Sequence, residues 1–526
     1  MFNQFLRSLI LFVTLAFASL SARATVQLAS PFTSHMVLQC GVKVPVWGTA
    51  TPGETVTVKF AGQIATGTAG TDGTWRVYLH PLMAWAEGQT FSASGSQTPQ
   101  PIRLSDVLVG EVWLASGQSN MDFSMSKKVK SFAGVTNEEA EIAAANHPLI
   151  RMFTGAAAKA YSPTNQVAGK WQVCSPKTAP AFSAVAYFFA RDLQREIKVP
   201  VGIITLAYGA STAEAWIRRD ALATDPRLAP MLESFDARVQ AFHTNPPPVI
   251  AAPRSEDVNA RETNSTSTST NLISGRHRRA PATRDPVQDQ HNPTVLFNGM
   301  IAPVIPYAIR GVIWYQGESI VGGARGRALY PHVQATLVND WRALWAESDF
   351  PFYIVQLAGQ DADSNSPLVR EAQATILKLP NTGMAVTTDI GERKNVHPKN
   401  KQDVGDRLAR IALAKAYGRD LEYSGPVYES MKIEGDKIRL KFSHLGGGLV
   451  ARGGPLKWFT IAGADNQFTP AEATIDGDTV IVHSDAVAAP VAVRYAWVNF
   501  PEGCNLFNAA GLPAAQFRTD APALEP

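Results

Sequence analysis

Cysteine is scarce in this sequence. Its 526 residues include three cysteines, which lie far apart at Cys40, Cys174 and Cys504. The chain contains no C-x-x-C and no H-E-x-x-H motif, so residue spacing indicates no metal site, and we expect no metal or other cofactor. An odd number of cysteines leaves at least one thiol unpaired, even if a disulfide forms.

An excess of one charge is also missing. The chain has 48 Lys and Arg against 45 Asp and Glu, a formal net charge of +3. Electrostatic binding to nucleic acid or to a membrane surface requires a basic excess that this composition lacks. Beyond the first residues, no apolar run is long enough to cross a bilayer. We therefore expect neither a nucleic-acid partner nor a membrane partner.

The first 24 residues differ from the rest. Residues 1–8 carry one charge, Arg7, residues 9–20 are almost wholly apolar, and Ala22-Arg23-Ala24 has the small-x-small form of a signal-peptidase site. This pattern predicts a signal peptide over residues 1–24, cleaved near Ala24, and hence a secreted or periplasmic protein. Cleavage would remove Arg7 and Arg23 and leave 46 basic against 45 acidic residues.

The remaining chain is too long for one core. Residues 25–105 and 419–526 consist of short strand-like runs separated by glycine and proline, which predicts two β modules that resemble a β-sandwich or jelly roll. Residues 106–418 alternate apolar strands with helices, as in an α/β domain with a doubly wound, mostly parallel sheet. Its predicted strands are 107–115, 200–207, 309–315, 352–357 and 384–389. Its clearest helix runs to Ile197 from Ser183, the expected N-cap.

Residues 243–293, approximately, interrupt this alternation. They contain a triple proline, a run of Asn, Ser and Thr, and the basic cluster Arg276-His277-Arg278-Arg279. With few aromatics and no periodicity, this composition predicts a disordered insertion. The basic cluster fits either a polyanion site or a solvated loop, of which we favour the loop.

Small and polar residues stand where the predicted strands end. Residues 117–120 (Gly-Gln-Ser-Asn) follow the first strand, 208–209 (Tyr-Gly) the second and 316–318 (Gln-Gly-Glu) the third. Asp389 ends the last strand, and His397 lies in the loop beyond it. Because the carboxyl ends of parallel strands share one rim, where α/β sheets bind their ligands, we expect these residues to lie together.

This set of residues matches the needs of acyl transfer. Ser119 supplies a hydroxyl nucleophile and His397 an imidazole base. The backbone amides of Ser119 and Gly209 and the side-chain amide of Gln316 can stabilise an oxyanion. Taken singly, each has an ordinary structural explanation: a turn serine, a helix-capping His397, or Glu318 as a hydrogen-bond partner. Their combination on one rim favours a catalytic site.

Several stretches resemble a known family. They are VLVGEVWLASGQSNM, STAEAWI, IRGVIWYQGES and DIGERKNVHPKNKQDVGDRLA in the α/β region, SHMVLQ and VPVWGTATPGETVTV before it, and VAVRYAWVNFPEGCNLFNAAGLPAAQFRTD after it. They resemble the SGNH (GDSL-like) hydrolases, and among these the carbohydrate esterases of the sialate O-acetylesterase type. The pair GQSNM and WYQGES is fairly specific, and the likeness covers nearly the whole mature chain apart from the predicted insertion.

The resemblance assigns roles to individual residues. It implies that Ser119 is the nucleophile, that His397 is the base, and that Ser119, Gly209 and Gln316 form the oxyanion hole. Gln316 stands where many SGNH enzymes have an asparagine.

The sequence departs from the family pattern at one position. Many SGNH hydrolases have an aspartate three residues before the histidine, but here that residue is Lys394. The third catalytic member is therefore Asp389, Glu392 or absent, the last case leaving a Ser–His dyad. We favour Asp389, because a carboxylate at a strand end is better fixed than one in a loop.

The sequence therefore predicts a secreted serine esterase that removes O-acetyl groups from carbohydrates through an acetyl-enzyme on Ser119. The sugar is sialic acid, or a hemicellulose such as xyloglucan or xylan. Two alternatives stay open at this point. One is a non-catalytic glycan-binding protein with a degenerate hydrolase core, and the other is an esterase that acts on a non-carbohydrate ester.

Overall fold

The computed structural model describes residues 26–97, 100–244, 284–320, 324–345, 349–361 and 365–520. The predicted signal peptide and most of the predicted insertion, residues 245–283, lie outside the described residues. The described part contains an N-terminal β region, a central α/β region and a C-terminal β region.

The N-terminal region is built of short strands. They are β1 (Gln27–Leu28), β2 (Val37–Gln39), β3 (Val44–Thr49), β4 (Thr55–Phe60), β5 (Gln63–Thr68), β6 (Thr74–Leu79) and β7 (Trp85–Gly95). Strands β1, β3 and β6 form one sheet, and β4 pairs with β5 and β7. Residues of β6 are alternately exposed and buried, so that Trp75, Val77 and Leu79 enter the core, as the period of a strand requires.

The central sheet is mostly parallel. Its strands are β8 (Ile102–Gly117), β9 (His147–Thr154), β10 (Trp171–Cys174), β11 (Val201–Ala207), β12 (Gly311–Tyr315), β13 (Phe352–Val355) and β14 (Thr382–Ala385). They lie in the order β10-β9-β11-β8-β12-β13-β14, and every neighbouring pair is parallel except β10 with β9. The expected α/β core is confirmed, with strand ends shifted by a few residues, but β9 and β10 were not predicted.

Helices accompany this sheet. The α-helices are α1 (Glu138–Ala143), α2 (Ala184–Ile197), α3 (Arg219–Thr224), α4 (Ala229–Thr244), α5 (Ala324–Leu344), α6 (Ser366–Ala374) and α7 (Lys401–Lys415). Ser183 is the N-cap of α2, as predicted, and its side chain accepts a hydrogen bond from the Ala186 N–H. Helices α2 and α7 pack closely, since a Cβ on Gly405 would lie 2.4 Å from the Cβ of Phe188.

No helix in the described ranges is both long enough and apolar enough to cross a membrane.

Strand β8 joins the N-terminal region to the central sheet. Its first half pairs antiparallel with β7, and its second half lies between β11 and β12. One continuous hydrophobic core runs from Val26 in the N-terminal region to Leu413 in α7. The predicted boundary between residues 105 and 106 therefore falls inside a strand, and the first two regions share a core.

The C-terminal region has a core of its own, which includes Ile438, Val480 and Tyr495. Its strands are β15 (Val427–Glu434), β16 (Lys437–Ser443), β17 (Leu449–Ala451), β18 (Phe459–Ala462), β19 (Thr469–Pro470), β20 (Glu472–Asp476), β21 (Thr479–His483), β22 (Ala492–Tyr495), β23 (Leu506–Asn508) and β24 (Phe517–Arg518). They form antiparallel sheets in the orders β15-β16-β21-β20, β17-β23 and β19-β18-β22-β24. A sandwich or jelly-roll arrangement of these modules stays a prediction.

The predicted disordered insertion is too wide at its C-terminal end. Residues 284–293 are placed, and Pro286–Gln288 forms a 3₁₀-helix in which Val287 is buried. Asn292 is also buried and accepts a hydrogen bond of 2.5 Å from Arg238 in α4. Composition missed this segment because its stabilising contacts come from residues distant in the sequence.

The cysteines do not pair. All three are free thiols, with Cys174 and Cys504 buried and Cys40 half-buried. Burial raises the pKa of Cys174 to about 12, so this thiol behaves as a small apolar side chain. The fold therefore depends on its cores rather than on disulfides.

The shared core leads to a prediction about truncation. A chain beginning at Asp106, where composition places the domain boundary, loses β2 and β7 and exposes Val107, Leu108 and Val109, which are at most 1% exposed in the structure. We expect it to be insoluble or to lack a cooperative thermal transition, because it loses part of a single core. Circular dichroism during heating checks this, and a transition like that of the full chain would contradict the shared core.

Candidate active site

Ser119 and His397 are in direct contact. The Ser119 Oγ lies 2.8 Å from the His397 Nε2, although 278 residues separate them in the sequence. Both side chains are half-buried. A hydroxyl and an imidazole at this distance form the pair that a serine hydrolase uses as nucleophile and base.

The turn that carries Ser119 begins at a glycine that cannot be replaced without strain. Gly117 has φ +138°, and a Cβ there would lie 2.1 Å from the carbonyl oxygen of Tyr315 at the end of β12. The next residue, Gln118, donates its N–H to the same carbonyl at 2.9 Å. The turn after β8 is thus fixed against the end of β12, with the serine just beyond the last paired residue.

The position of this turn follows from the order of the strands. After β11 the chain crosses β8 and continues on its other side with β12. Strand order therefore reverses at β8. Doubly wound sheets open a crevice at the carboxyl end of such a switch point, and Ser119 lies there.

His397 reaches the serine from the far edge of the sheet. It follows β14, which lies three strands from β8, or about 14 Å at the usual spacing of strands. Glu392 holds the connecting loop by accepting hydrogen bonds from the Asn395 side chain at 2.9 Å and from the Lys399 N–H at 2.7 Å. Asn395 in turn accepts from the His397 N–H and donates to its carbonyl.

Gly209 lies next to the serine. A Cβ at this glycine would be 3.8 Å from the Cβ of Ser119, so the loop after β11 runs beside this serine. Within the described residues, neither the Ser119 N–H nor the Gly209 N–H has a hydrogen-bond acceptor. Two unused backbone donors beside a candidate nucleophile have the composition of an oxyanion hole.

The surroundings of His397 favour its neutral form. Burial, followed by the positive charge of Lys401, lowers the pKa of His397 to about 4. A neutral imidazole is the form that can accept the serine proton. The ring of Phe132, which is 39% exposed, lies 4.7 Å from the imidazole and forms an apolar surface beside it.

Polar residues are buried behind this pair. The Asn120 side chain donates to a carboxylate oxygen of Glu318 and, at 2.9 Å, to the carbonyl of Val396. The ammonium group of Lys401 donates to the Asn120 side-chain oxygen at 2.5 Å. Burial lowers the pKa of Lys401 to about 7 and raises that of Glu318.

Comparison with known proteins agrees with this geometry. A family model described as "Carbohydrate esterase, sialic acid-specific acetylesterase" matches residues 292–414. The curated sialate O-acetylesterase of Mus musculus is 29% identical over 97% of this chain and 97% of its own length, and that of Homo sapiens is 28% identical over 95% and 94%. The crystal structure of a carbohydrate acetylesterase from Xanthomonas citri is 35% identical, has a TM-score of 0.78, and covers 94% of this chain and 100% of its own.

The chain belongs to this family of carbohydrate esterases. It is a carbohydrate O-acetylesterase, as the sequence motifs predicted.

One residue assigned to the site lies elsewhere in the esterase. The Asp389 carboxylate accepts two hydrogen bonds of 2.7 Å from Arg407 in α7 and does not contact His397. The expectation that this carboxylate orients the histidine has no hydrogen bond to support it in the structure, because β14 is the edge strand and His397 lies back at β8. Lys394 is exposed to solvent.

Gln316 also differs from its expected placement. Its side chain has no solvent exposure, donates to the Ser211 carbonyl at 3.1 Å, and accepts from the Tyr330 hydroxyl at 2.9 Å. In this conformation it does not face an open cleft. It supports the loop that carries Gly209, two residues before Ser211.

Two residues of the site were missed by sequence reasoning. Lys401 was not singled out, because a lysine in the first turn of a helix is normally solvated. Asn120 was seen only as part of a turn. The signal that could have found Lys401 is its position three residues after Pro398, in the same short segment as the candidate base.

The ion pair of Asp389 provides a test. The side chains of Asp389 and Arg407 are 9% and 8% exposed, so Asp389→Asn leaves a buried cation without its counter-charge and should cost about 3–5 kcal/mol of stability. We expect a lower melting temperature and a kcat within a few-fold of wild type in the folded protein. Asp403→Asn is the control, since this more exposed carboxylate lies 3.8 Å from the same guanidinium. A loss of about 10⁴ in kcat at unchanged stability would instead make Asp389 the third catalytic member.

Proposed function

We propose that this carbohydrate O-acetylesterase is a secreted serine esterase that forms an acetyl-enzyme on Ser119. The observation that carries the proposal is the 2.8 Å contact between Ser119 Oγ and His397 Nε2, beside two unused backbone N–H donors. Binding a glycan requires no nucleophile aligned with a base, so this contact favours catalysis over a degenerate core.

The reaction follows from the positions of these groups. His397 Nε2 accepts the Ser119 proton as Oγ attacks the acetyl carbonyl, and the N–H groups of Ser119 and Gly209 stabilise the oxyanion. The imidazolium then gives its proton to the departing sugar oxygen, which leaves an acetyl ester on Ser119. Water, activated by the same imidazole, releases acetate and restores the serine.

A dyad is the simplest form of this machinery. Among the described residues, none makes a hydrogen bond to the His397 Nδ1. Asp389 is engaged by Arg407, and the Glu392 carboxylate holds Asn395 and Lys399. We therefore propose that Ser119 and His397 act without a third member, with Glu392 fixing the loop of the base.

Several observations support a carbohydrate in the cleft. The exposed ring of Phe132 beside His397 offers an apolar face of the kind on which sugar rings stack. The names of the curated relatives favour O-acetylated sialic acid, and the sequence resemblance leaves acetylated xyloglucan and xylan as alternatives. The secreted location rests on the signal pattern of residues 1–24.

The nucleophile is tested by Ser119→Ala. We expect a folded protein whose kcat on 4-nitrophenyl acetate falls at least roughly 10³-fold, because no other group can carry the acetyl intermediate. Wild-type enzyme quenched during turnover should carry one acetyl group on Ser119 by mass spectrometry. Ser319→Ala, on the loop after β12, is the control and should remain near wild type. Retention of more than a few per cent of wild-type kcat in Ser119→Ala would remove Ser119 from this role.

The sugar is tested by acetate release from a panel of substrates. We expect O-acetylated sialic acid to give the highest kcat/KM, with acetylated xyloglucan and acetylated xylan as the comparison. A preference for either hemicellulose would keep the esterase mechanism and change the substrate. Hydrolysis of 4-nitrophenyl acetate without activity on any of the three sugars would contradict these assignments.

A further inference from the structure

The neighbours of the two reacting residues are bonded to each other. Asn120 follows Ser119 in the sequence and Val396 precedes His397, and the Asn120 Nδ2 donates to the Val396 carbonyl at 2.9 Å. This bond joins the turn after β8 to the loop after β14. It crosses between the same two segments as the Ser119–His397 contact, one residue away on each side.

The orientation of the Asn120 amide is fixed from both ends. Its oxygen accepts from the Lys401 ammonium at 2.5 Å, and its nitrogen donates to Glu318 as well as to Val396. A flipped amide would point its N–H groups at a cation and its oxygen at a carboxylate. The lysine and the glutamate therefore leave one amide orientation, the one that reaches Val396.

The two charged groups are buried at a cost. Lys401 has no solvent exposure, and its ammonium lies over the rings of Phe123 and Tyr315, at 4.6 and 5.3 Å. The Glu318 Oε2 is shielded from solvent and has no hydrogen-bond partner within the described part of the chain. Groups that serve folding alone are seldom left in this state, since an apolar pair would be cheaper to bury.

We propose that Asn120, oriented by Lys401 and Glu318, is a positioning residue that holds the nucleophile turn and the histidine loop in register. The proposal rests on the roles of Ser119 and His397 given above. Asn120 touches neither reacting atom. It acts by fixing the distance between the segments that carry them, where a displacement of about 1 Å is enough to cost 10²-fold in rate.

Lys401 has a second effect through its charge. Its ammonium lies behind the imidazole and disfavours the imidazolium, while the acidic groups facing Lys401 are Glu318 and Glu392. Removing the positive charge therefore raises the pKa of His397. The acidic limb of the pH–rate profile then moves to higher pH, because a larger fraction of the base is protonated at each acidic pH.

The alignment of the two segments is tested with Asn120→Leu and Asn120→Asp, whose side chains have the same number and branching of heavy atoms as asparagine. With 4-nitrophenyl acetate, a substrate that needs no sugar contact, we expect kcat to fall roughly 10²-fold and KM to change less than a few-fold. The rate at which a fluorophosphonate labels Ser119 should fall by a similar factor. Asn505→Leu is the matched control: it removes a buried asparagine of the C-terminal region, which affects stability but should leave both rates unchanged.

The effect of the Lys401 charge on His397 is tested with Lys401→Met. The control is Lys415→Met, which removes one charge at the other end of α7. The acidic limb of kcat/KM should move to higher pH in Lys401→Met and stay in place in Lys415→Met. A loss of structure alone would lower the amplitude of the profile and leave the limb where it is. Circular dichroism and melting temperature establish that each variant is folded before it is assayed.

The outcomes separate this proposal from the one on which it rests. If Ser119→Ala is active, the assignment of the nucleophile fails, whatever Asn120 does. If Ser119→Ala is inactive while folded Asn120→Leu or Asn120→Asp keeps wild-type kcat and labelling rate, the positioning role is overturned. If Asn120→Leu does not fold, the Asn120→Asp rates and the Lys401→Met profile decide, and an unshifted limb with normal kcat overturns the role of the lysine.

Discussion

The contact between Ser119 and His397 depends on a loop that returns from the edge of the central sheet to its middle. The serine stands at the end of the central strand β8, while the histidine follows the edge strand β14, about 14 Å away at the usual strand spacing. The loop between Val386 and Asn400 must recover that distance with only a 3₁₀-helix at Thr388–Ile390 and a single bridge between Glu392 and Asn395. Its fixed shape, held by Glu392, Asn395 and the bond from Asn120, is what makes a pair of distant residues into a site.

Below Ser119 and His397, amide side chains connect the loops at the carboxyl edge of the central sheet. Gln118 accepts from the Gly317 N–H, Gln316 donates to the Ser211 carbonyl, and Gln373 donates to the Gln316 carbonyl. These glutamines are almost fully buried and join the loops that follow β8, β11 and β12. The unused donors that face the cleft are then backbone N–H groups. This division explains why a glutamine that matches an oxyanion position in the sequence supports a loop in the structure.

The local sequence pattern was enough to predict most strands of the central sheet and the edge of the sheet at which the candidate site lies. Apolar runs and glycine turns located β8, β11, β12, β13 and β14 of the central sheet but not β9 or β10, and Ser183 located the start of α2, because these features depend on neighbours in the sequence. The same reasoning brought Ser119, Gly209 and His397 together, since parallel strands place their carboxyl ends on one edge.

What the sequence could not supply is non-local. The predicted boundary between residues 105 and 106 falls inside β8, because a composition shift does not reveal that one strand pairs with both regions. Asp389 was misplaced because its partner, Arg407, lies 18 residues further on and on another element. Lys401 was overlooked because burial of a lysine is decided by rings and an amide that come from other segments.

In the proposed mechanism, the surroundings of His397 set a balance between two proton transfers. A pKa of about 4 makes the imidazole a weak base toward the serine and its imidazolium a strong acid. When the acetyl ester of a sugar is cleaved, the sugar oxygen departs as an alkoxide, which is a poor leaving group until it is protonated. A strongly acidic imidazolium therefore favours the collapse of the tetrahedral intermediate, in which it protonates the sugar oxygen. The same low pKa disfavours the first proton transfer, from Ser119 to His397.

The weak basicity of His397 has to be offset by accurate geometry. Among the described residues, no carboxylate accepts a hydrogen bond from the His397 Nδ1, so no third residue stabilises the imidazolium. The positive charge of Lys401 destabilises it further. In the proposed mechanism, the attack on the carbonyl then depends on the oxyanion donors and on the accuracy with which Ser119 Oγ meets His397 Nε2. A weak base is effective only at short, fixed distance, which is the property that the bond between Asn120 and Val396 supplies.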